Sequence, residues 1–391
     1  MLKSAPLSLY VHLPWCVRKC PYCDFNSFAF QGSFPEAQYV EALQRDLRAQ
    51  APAFAGRPIQ TIFFGGGTPS LFAPASIGRI LETAACELSI APDAEVTLEA
   101  NPGTIEHGTF YGYRDAGINR VSLGGQTFAP EQLRRLGRIH LADDTRAAAR
   151  ELHEAGISNF NIDLMYGLPD QTIEDAVRDV EEALALGPAH ISHYQLTLEP
   201  GTVFAASPPP PPRADAVDQL EACAPVLSRG GFARYEISAY ALPGVRARHN
   251  LNYWQFGDYL GVGAGAHGKR SNAHSGTIVR TVRSREPRRY MAECDAPLET
   301  MPIDTRDRPF EFMLNAMRLV EGFQQGLFEA RTGLEWSSIS PLMEELRYEG
   351  LAVSEGESWA PSARGLLFLN DLLIRFIPAT RDYSQARGGS T

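Results

Sequence analysis

Three of the six cysteines, Cys16, Cys20 and Cys23, fall within eight residues in the run Cys16-Val17-Arg18-Lys19-Cys20-Pro21-Tyr22-Cys23. The other three, Cys86, Cys223 and Cys294, are scattered. Three thiolates on one short loop can wrap a single inorganic centre. A structural zinc ion would need a fourth ligand for its tetrahedron, and no second Cys or His pair follows at a regular distance. His12 is the one nearby candidate, and strand alternation points it inward. A [4Fe–4S] cluster held by three cysteines leaves one iron open to a small molecule. The spacing favours the cluster, with zinc and plain structural thiols as the competing readings.

Further residues fall where a site would be built, just after predicted strands. Gly65-Gly66-Gly67-Thr68-Pro69 offers backbone groups that can approach a ligand closely, plus a hydroxyl. Glu99, Gln126 and Asp163 end or follow later strands; a carboxylate or amide there can hold an ammonium group or ribose hydroxyls, or can simply cap or face solvent. His249-Asn250-Leu251-Asn252-Tyr253-Trp254 precedes a glycine-rich run ending in Ala266-His267-Gly268. A histidine can ligate haem iron while aromatic rings pack on the porphyrin. The plainer reading is a packed, hydrogen-bonded imidazole.

The elements that must position these residues are legible as alternating β-rich runs and amphipathic stretches. Strands are predicted over 7–12, 61–64, 95–99, 120–123, 160–164 and 190–196, and crossover helices over 39–51, 76–88, 145–155 and 173–186. Repeated βα units imply a parallel sheet with all carboxyl ends on one rim. Pro208 to Pro212 form a rigid surface connection, after which βα-like patterning resumes. Near residue 300 the pattern shifts. Helices over 309–319 and 339–349, a hairpin of 351–353 with 358–360, and a last helix over 363–376 predict a small winged-helix-like appendage. The expected division is 1–300, 301–378 and a frayed tail over 379–391.

Composition narrows the function. At 391 residues, 44% apolar and 21% charged, the chain is a folded protein rather than a disordered or coiled-coil one. No apolar run is long enough to span a membrane and no signal-peptide core is present, which predicts a cytoplasmic protein. The net charge of −10 argues against a nucleic-acid partner.

The Cys-x3-Cys-x2-Cys run, with an aromatic residue before the last cysteine, resembles the signature of the radical S-adenosylmethionine (SAM) superfamily. That resemblance implies a partial (β/α)6 TIM-type barrel, with SAM chelating the open iron of the cluster. The likeness narrows over nearly the whole chain. Tyr10-Val-His12-Leu-Pro14-Trp15-Cys16, Leu136-Gly137-Arg138-Ile139-His140 and Asn161-Ile162-Asp163-Leu164-Met165-Tyr166-Gly167-Leu168-Pro169 resemble the group that contains anaerobic coproporphyrinogen III dehydrogenases and HemW-type haem chaperones. Carried over by motif, Tyr10, Tyr22, Gly66, Gly67, Thr68, Glu99, Gln126, Arg138 and Asp163 would contact SAM. Cys16, Cys20 and Cys23 would hold the cluster.

Two departures separate the sequence from the dehydrogenases, which carry a long lid-forming segment ahead of the first tyrosine and a fourth cysteine. Nine residues precede Tyr10, and Phe25 stands in place of that cysteine. The string from His249 to Trp254 resembles the haem-binding motif of the chaperones, which makes His249 the first candidate ligand, Tyr253 and Trp254 its aromatic companions, and His267 the second. The resemblance therefore implies a haem chaperone delivering haem as cargo to apo-haemoproteins, soluble or membrane-bound, with the dehydrogenase as the alternative.

Overall fold

The computed structural model describes residues 1–103 and 110–378; the expected tail over 379–391 lies outside the described residues. The six expected strands are all present: β1 (Leu7–Leu13), β2 (Ile59–Gly66), β3 (Ile90–Ala100), β4 (Arg120–Gln126), β5 (Phe160–Tyr166) and β6 (His190–Gln195). They pair in parallel in chain order. The crossovers include α1 (Glu36–Gln50), α2 (Pro74–Glu87), α3 (Ala142–Glu154) and α4 (Ile173–Ala185). Such strands are buried on both faces, so they read as continuous apolar runs. In β1, Leu7, Leu9, Val11 and Leu13 pack in the main core beneath the helices, while Tyr10 and His12 line cavities on the inner face. Each helix follows its own local signals. In α4, Thr172 accepts from Asp175 N at 3.2 Å and the Asp175 carboxylate accepts from Thr172 N at 3.2 Å.

The sheet continues past the arc. Beyond the polyproline segment, which lies on the surface, only one helix, α5 (Ala216–Arg229), precedes β7 (Ala233–Glu236) and β8 (Ala239–Ala241). The expected resumption of βα patterning therefore stops there. Two residues join β7 to β8, too few for a crossover, so they form an antiparallel hairpin beside β6. On the other edge, β9 (Asp258–Val262) pairs in parallel with β1, and β10 (His267–Asn272), β11 (Thr277–Val282) and β12 (Thr300–Pro302) add antiparallel neighbours. Because β1 neighbours β9 and not β6, the barrel is partial.

The short helix α6 (Arg248–Trp254) packs against β1 and β2. Its first two amides, Arg248 N and His249 N, donate to the Glu95 carboxylate at 3.0 Å each, a cap supplied by β3 from across the fold. Asp46 of α1, fully buried, accepts from Gln50 at 2.7 Å, Tyr290 at 2.9 Å and Arg283 Nε at 3.1 Å. This ties the crossover helix to the added strands.

The C-terminal region has its own core of Phe312, Met313, Phe328, Met343, Leu346 and Leu372, which Leu2 joins. Its elements are α7 (Arg308–Ala316), β13 (Phe323–Gln324), α8 (Gln325–Thr332), α9 (Ser340–Tyr348) and the hairpin β14 (Ala352–Glu355)–β15 (Ser358–Pro361). The order of helices followed by a hairpin is that of a winged helix. The expected single helix over 363–376 is instead two, Ala363–Leu367 and Leu369–Ile374, broken at Phe368. The break lets Leu369, Leu372 and Leu373 reach this core while Leu367 and Phe368 stay exposed. No helix among the described residues is long and apolar enough to cross a membrane.

Replacing Asp46 with Ala leaves Arg283, 6% exposed, buried without its carboxylate. The expected loss is about 3–5 kcal/mol in a denaturant titration, with much of it recovered by adding Arg283→Met.

Candidate functional site

The cysteine loop is fastened to its neighbours by backbone. Trp15–Cys16 pairs in parallel with Phe28–Ala29, closing a loop that carries Cys20 and Cys23. Trp15 anchors it from behind, stacked on Phe34 at 5.1 Å and edge-on to Tyr39 at 4.6 Å. Gly67 N donates to Leu13 O and Thr68 N to Trp15 O, both at 2.8 Å. Gly66 has φ +120°, and a Cβ there would lie 2.6 Å from the His12 ring; one on Gly67 would lie 2.5 Å from Trp15 O. These two glycines are thus required by the chain's own packing, before any ligand is considered.

All three clustered cysteines are free. Burial raises the Cys16 and Cys23 thiols; Cys23 and Cys20 raise Cys16 further, and Cys20 raises Cys23. A buried thiol ionises readily when it binds a positive centre. Among the described residues, no three His, Cys, Asp or Glu side chains are placed as the ligands of a single metal ion would be. Arg138 Nη1 lies 3.9 Å from Cys20 Sγ, and its Nη2 donates to Asn101 at 2.6 Å and Gly124 O at 2.7 Å. Asn101 in turn donates to Thr68 at 3.0 Å. Sequence reasoning passed over Asn101, although its place two residues after Glu99 at a strand end is a signal of its own.

Every residue carried over from the family motif, the three cysteines, and His249, Tyr253 and Trp254 line one cavity of about 810 Å³. His267 does not; it is exposed and borders an adjoining cavity with His12 and Tyr259. Within the main cavity Glu99 accepts from Gly66 N at 3.1 Å. Burial, then the nearby Asp163, pushes its carboxyl up to about 8. Asp163 is held by Asn161 at 2.7 Å and Ser122 at 3.4 Å, and burial raises it too. Gln126 sits in the left-handed region at φ +67°, where the β4–β5 register shifts, and its amide oxygen accepts from Tyr194 at 2.5 Å. A strained non-glycine residue at a strand end is a mark of a built site. Tyr22 packs near Phe204. Tyr10 donates to His12 Nδ1 at 2.9 Å, and His12 Nε2 donates to Asn26 O at 2.9 Å, so that imidazole is neutral and occupied.

His249 lies at the opposite end of the cavity from the cysteines, 1% exposed. Asn252 Nδ2 donates to Ser8 at 2.8 Å, Ser8 lies 2.7 Å from Thr61, and Thr61 lies 2.8 Å from His249 Nδ1. An amide nitrogen only donates, so satisfying every proton runs this chain toward Nδ1 and leaves Nε2–H to donate to Tyr253 at 3.1 Å. Burial, then the charge of Arg120, lowers this imidazole to about 3. Both nitrogens are therefore engaged, and meeting an iron requires His249 Nε2 to give up Tyr253 and its proton. The three motif side chains also diverge: Tyr253 stands edge-on to His249, whereas Trp254 lies beneath Arg318 at 4.3 Å.

Residues 10–183 match the radical SAM superfamily and residues 303–368 the HemN C-terminal domain. The chain is 46% identical over 379 residues to heme chaperone HemW of Escherichia coli (strain K12), covering 96% of this chain and all of that one. The chain belongs to the HemW family. Heme chaperone HemW of Haemophilus influenzae is 44% identical over 96% of this chain and 99% of its own. A mitochondrial radical S-adenosyl methionine domain-containing protein 1 from Mus musculus is 34% identical over 99% of this chain and 91% of its own. Among solved structures, coproporphyrinogen III oxidase (HemN) from Escherichia coli superposes with a TM-score of 0.78 over 95% of this chain and 90% of that one, at 24% identity. The HemW family member described here thus shares its overall fold with that structure.

Two outcomes follow. Cys20→Ala is expected to abolish the broad visible absorption of an anaerobically reconstituted four-iron cluster; a full cluster in the variant would remove Cys20 from the ligand set. Between about 4.5 and about 8 the folded state keeps a proton on Glu99 that the unfolded state releases, so this group's contribution to stability falls as pH rises through that window. Glu99→Gln removes that dependence, and the melting temperature of the ligand-free variant should gain on the parent as pH rises. Parallel profiles would refute the assignment.

Proposed function

We propose that this chain is a cytosolic haem chaperone that carries a [4Fe–4S] cluster and SAM and passes haem to apo-haemoproteins. The observation that carries the reading is one cavity bounded at one end by the cysteine loop and at the other by the helix bearing His249, Tyr253 and Trp254. When bound, such a cluster would supply an electron for reductive chemistry on SAM.

The chain's own residues do the positioning. Cys16, Cys20 and Cys23 would hold the cluster, and Arg138, fixed by Asn101 and Gly124 O, places a positive charge beside Cys20. Gly66 and Gly67 bring bare backbone to the cavity wall, with Thr68 adjacent. Glu99, Gln126 and Asp163 offer acceptors at the heights set by strand register, and Tyr10 and Tyr22 line the same cavity. His249 Nε2 takes the haem iron once Tyr253 has swung away.

The HemN-like fold favours one competing reading, an oxidative decarboxylase of coproporphyrinogen III. Phe25, 57% exposed, stands where the dehydrogenases of the group carry a fourth cysteine, which supports the chaperone. The test supplies reconstituted protein with haem, or with coproporphyrinogen III, SAM and reductant. A stable Soret band without decarboxylation is expected; multiple turnovers to protoporphyrinogen would make the protein an enzyme. His249→Ala should weaken haem binding by about tenfold or more, equivalent to roughly 1.4 kcal/mol, with the cluster absorption unchanged. Unaltered affinity would move the ligand elsewhere.

A further inference from the structure

Arg120 opens β4, opposite Thr97 of β3 and two positions before Ser122. Its side chain lines the main cavity, yet the residue is only 3% exposed. Among the described residues its guanidinium makes no hydrogen bond and no ion pair, and its Nε is enclosed without a partner. The carboxylate that feels its charge is Asp163, but that group is already held by Asn161 and Ser122. A buried guanidinium with nothing to bind is expensive, and an anion brought by a ligand removes the cost.

The surroundings indicate which kind of anion. Arg318, which follows α7, lies over Trp254 and donates to Glu236 at 3.2 Å, with its own Nε enclosed and unpartnered. Trp254 Nε1 is likewise enclosed and unpartnered. All three line the cavity together with His249. Unused donors from two elements and the barrel interior thus border the same space. A group that only accepts, and accepts at two oxygens, matches a guanidinium fork.

We infer that Arg120 binds a carboxylate of the cargo, a propionate of haem, with Arg318 flanking it. The inference rests on the haem-chaperone reading and adds to it the part that recognises the porphyrin's edge, while His249 addresses its iron. The methionyl carboxylate of SAM is the other source of the same chemistry. Arg120 stands at the amino end of its strand, whereas the cysteine loop follows the carboxyl end of β1, which favours the cargo.

The experiment compares haem with haem dimethyl ester, whose propionates cannot ionise, on the full reconstituted chain. The parent protein should bind haem about tenfold or more tightly than the diester. Arg120→Gln should bind the two equally, with SAM affinity unchanged. Removing an uncompensated buried cation should not lower the melting temperature of the ligand-free protein. If that variant does not fold, Arg120→Lys should keep a reduced preference and Arg318→Gln should lower it; an undiminished preference in both overturns the inference. So does a variant Arg120→Gln that still prefers haem, or one that loses SAM and keeps the preference. A parent protein that binds haem and its diester equally defeats the inference alone, whereas one that binds neither defeats the functional reading beneath it.

Discussion

The contact on which the site depends is the backbone of Gly66 and Gly67 laid against the end of β1. No side chain fits there: one on Gly67 would press into the Trp15 carbonyl, and one on Gly66 into the His12 ring. That approach lets Gly67 N and Thr68 N bond to Leu13 and Trp15, which fixes where the cysteine loop leaves the sheet. From it follow the position of Thr68, then Asn101, then Arg138 beside Cys20. A loop carrying three thiols is thereby held by rigid strand ends and does not depend on the thiols for its shape.

Inside the barrel, polar groups are arranged in rows by strand register. Thr61 pairs with Ser8 at one level, and Glu99, Ser122, Asp163 and Ser192 are linked by adjoining registers at another. Ser122 and Asn161 satisfy Asp163, while Glu99, which accepts from Gly66 N, is shifted toward its neutral form. Among the residues that line the cavity, Arg120, Trp254 and Arg318 each keep an enclosed donor without a partner, and all three share the cavity wall with His249.

Much of this was legible in the sequence, and the reasons are specific. The six parallel strands announced themselves because strands buried on both faces are uninterrupted apolar runs flanked by amphipathic helices. The cysteine spacing, the glycine run and the strand-end acids were readable because chemistry restricts residue type at fixed intervals. The strands of three to six residues that extend the sheet carry no such period, and whether β7 and β8 would return antiparallel hung on a two-residue turn. Arg120 was invisible as a site residue, since facing inward is a matter of register and a lone arginine at a strand start looks solvated. The hydrogen bonds of His249 were equally hidden. Its partners Thr61 and Tyr253 lie on different elements, and only their meeting shows that the imidazole is occupied. The break at Phe368 escaped notice because the sequence there is a good helix former and the deciding force is a distant core.

The first residues of the chain link the two cores. Leu2 sits in the C-terminal core, Lys3 N bonds to Ala330 O, and the same segment runs on into β1, with Arg57 donating to Ala5 O and pairing with Asp258. The C-terminal winged-helix-like region is therefore tied to β1, the first strand of the barrel, as well as following β12 at the far edge of the sheet. Freeing the C-terminal region therefore means breaking the contacts of this segment as well, which couples the opening of that core to the start of β1.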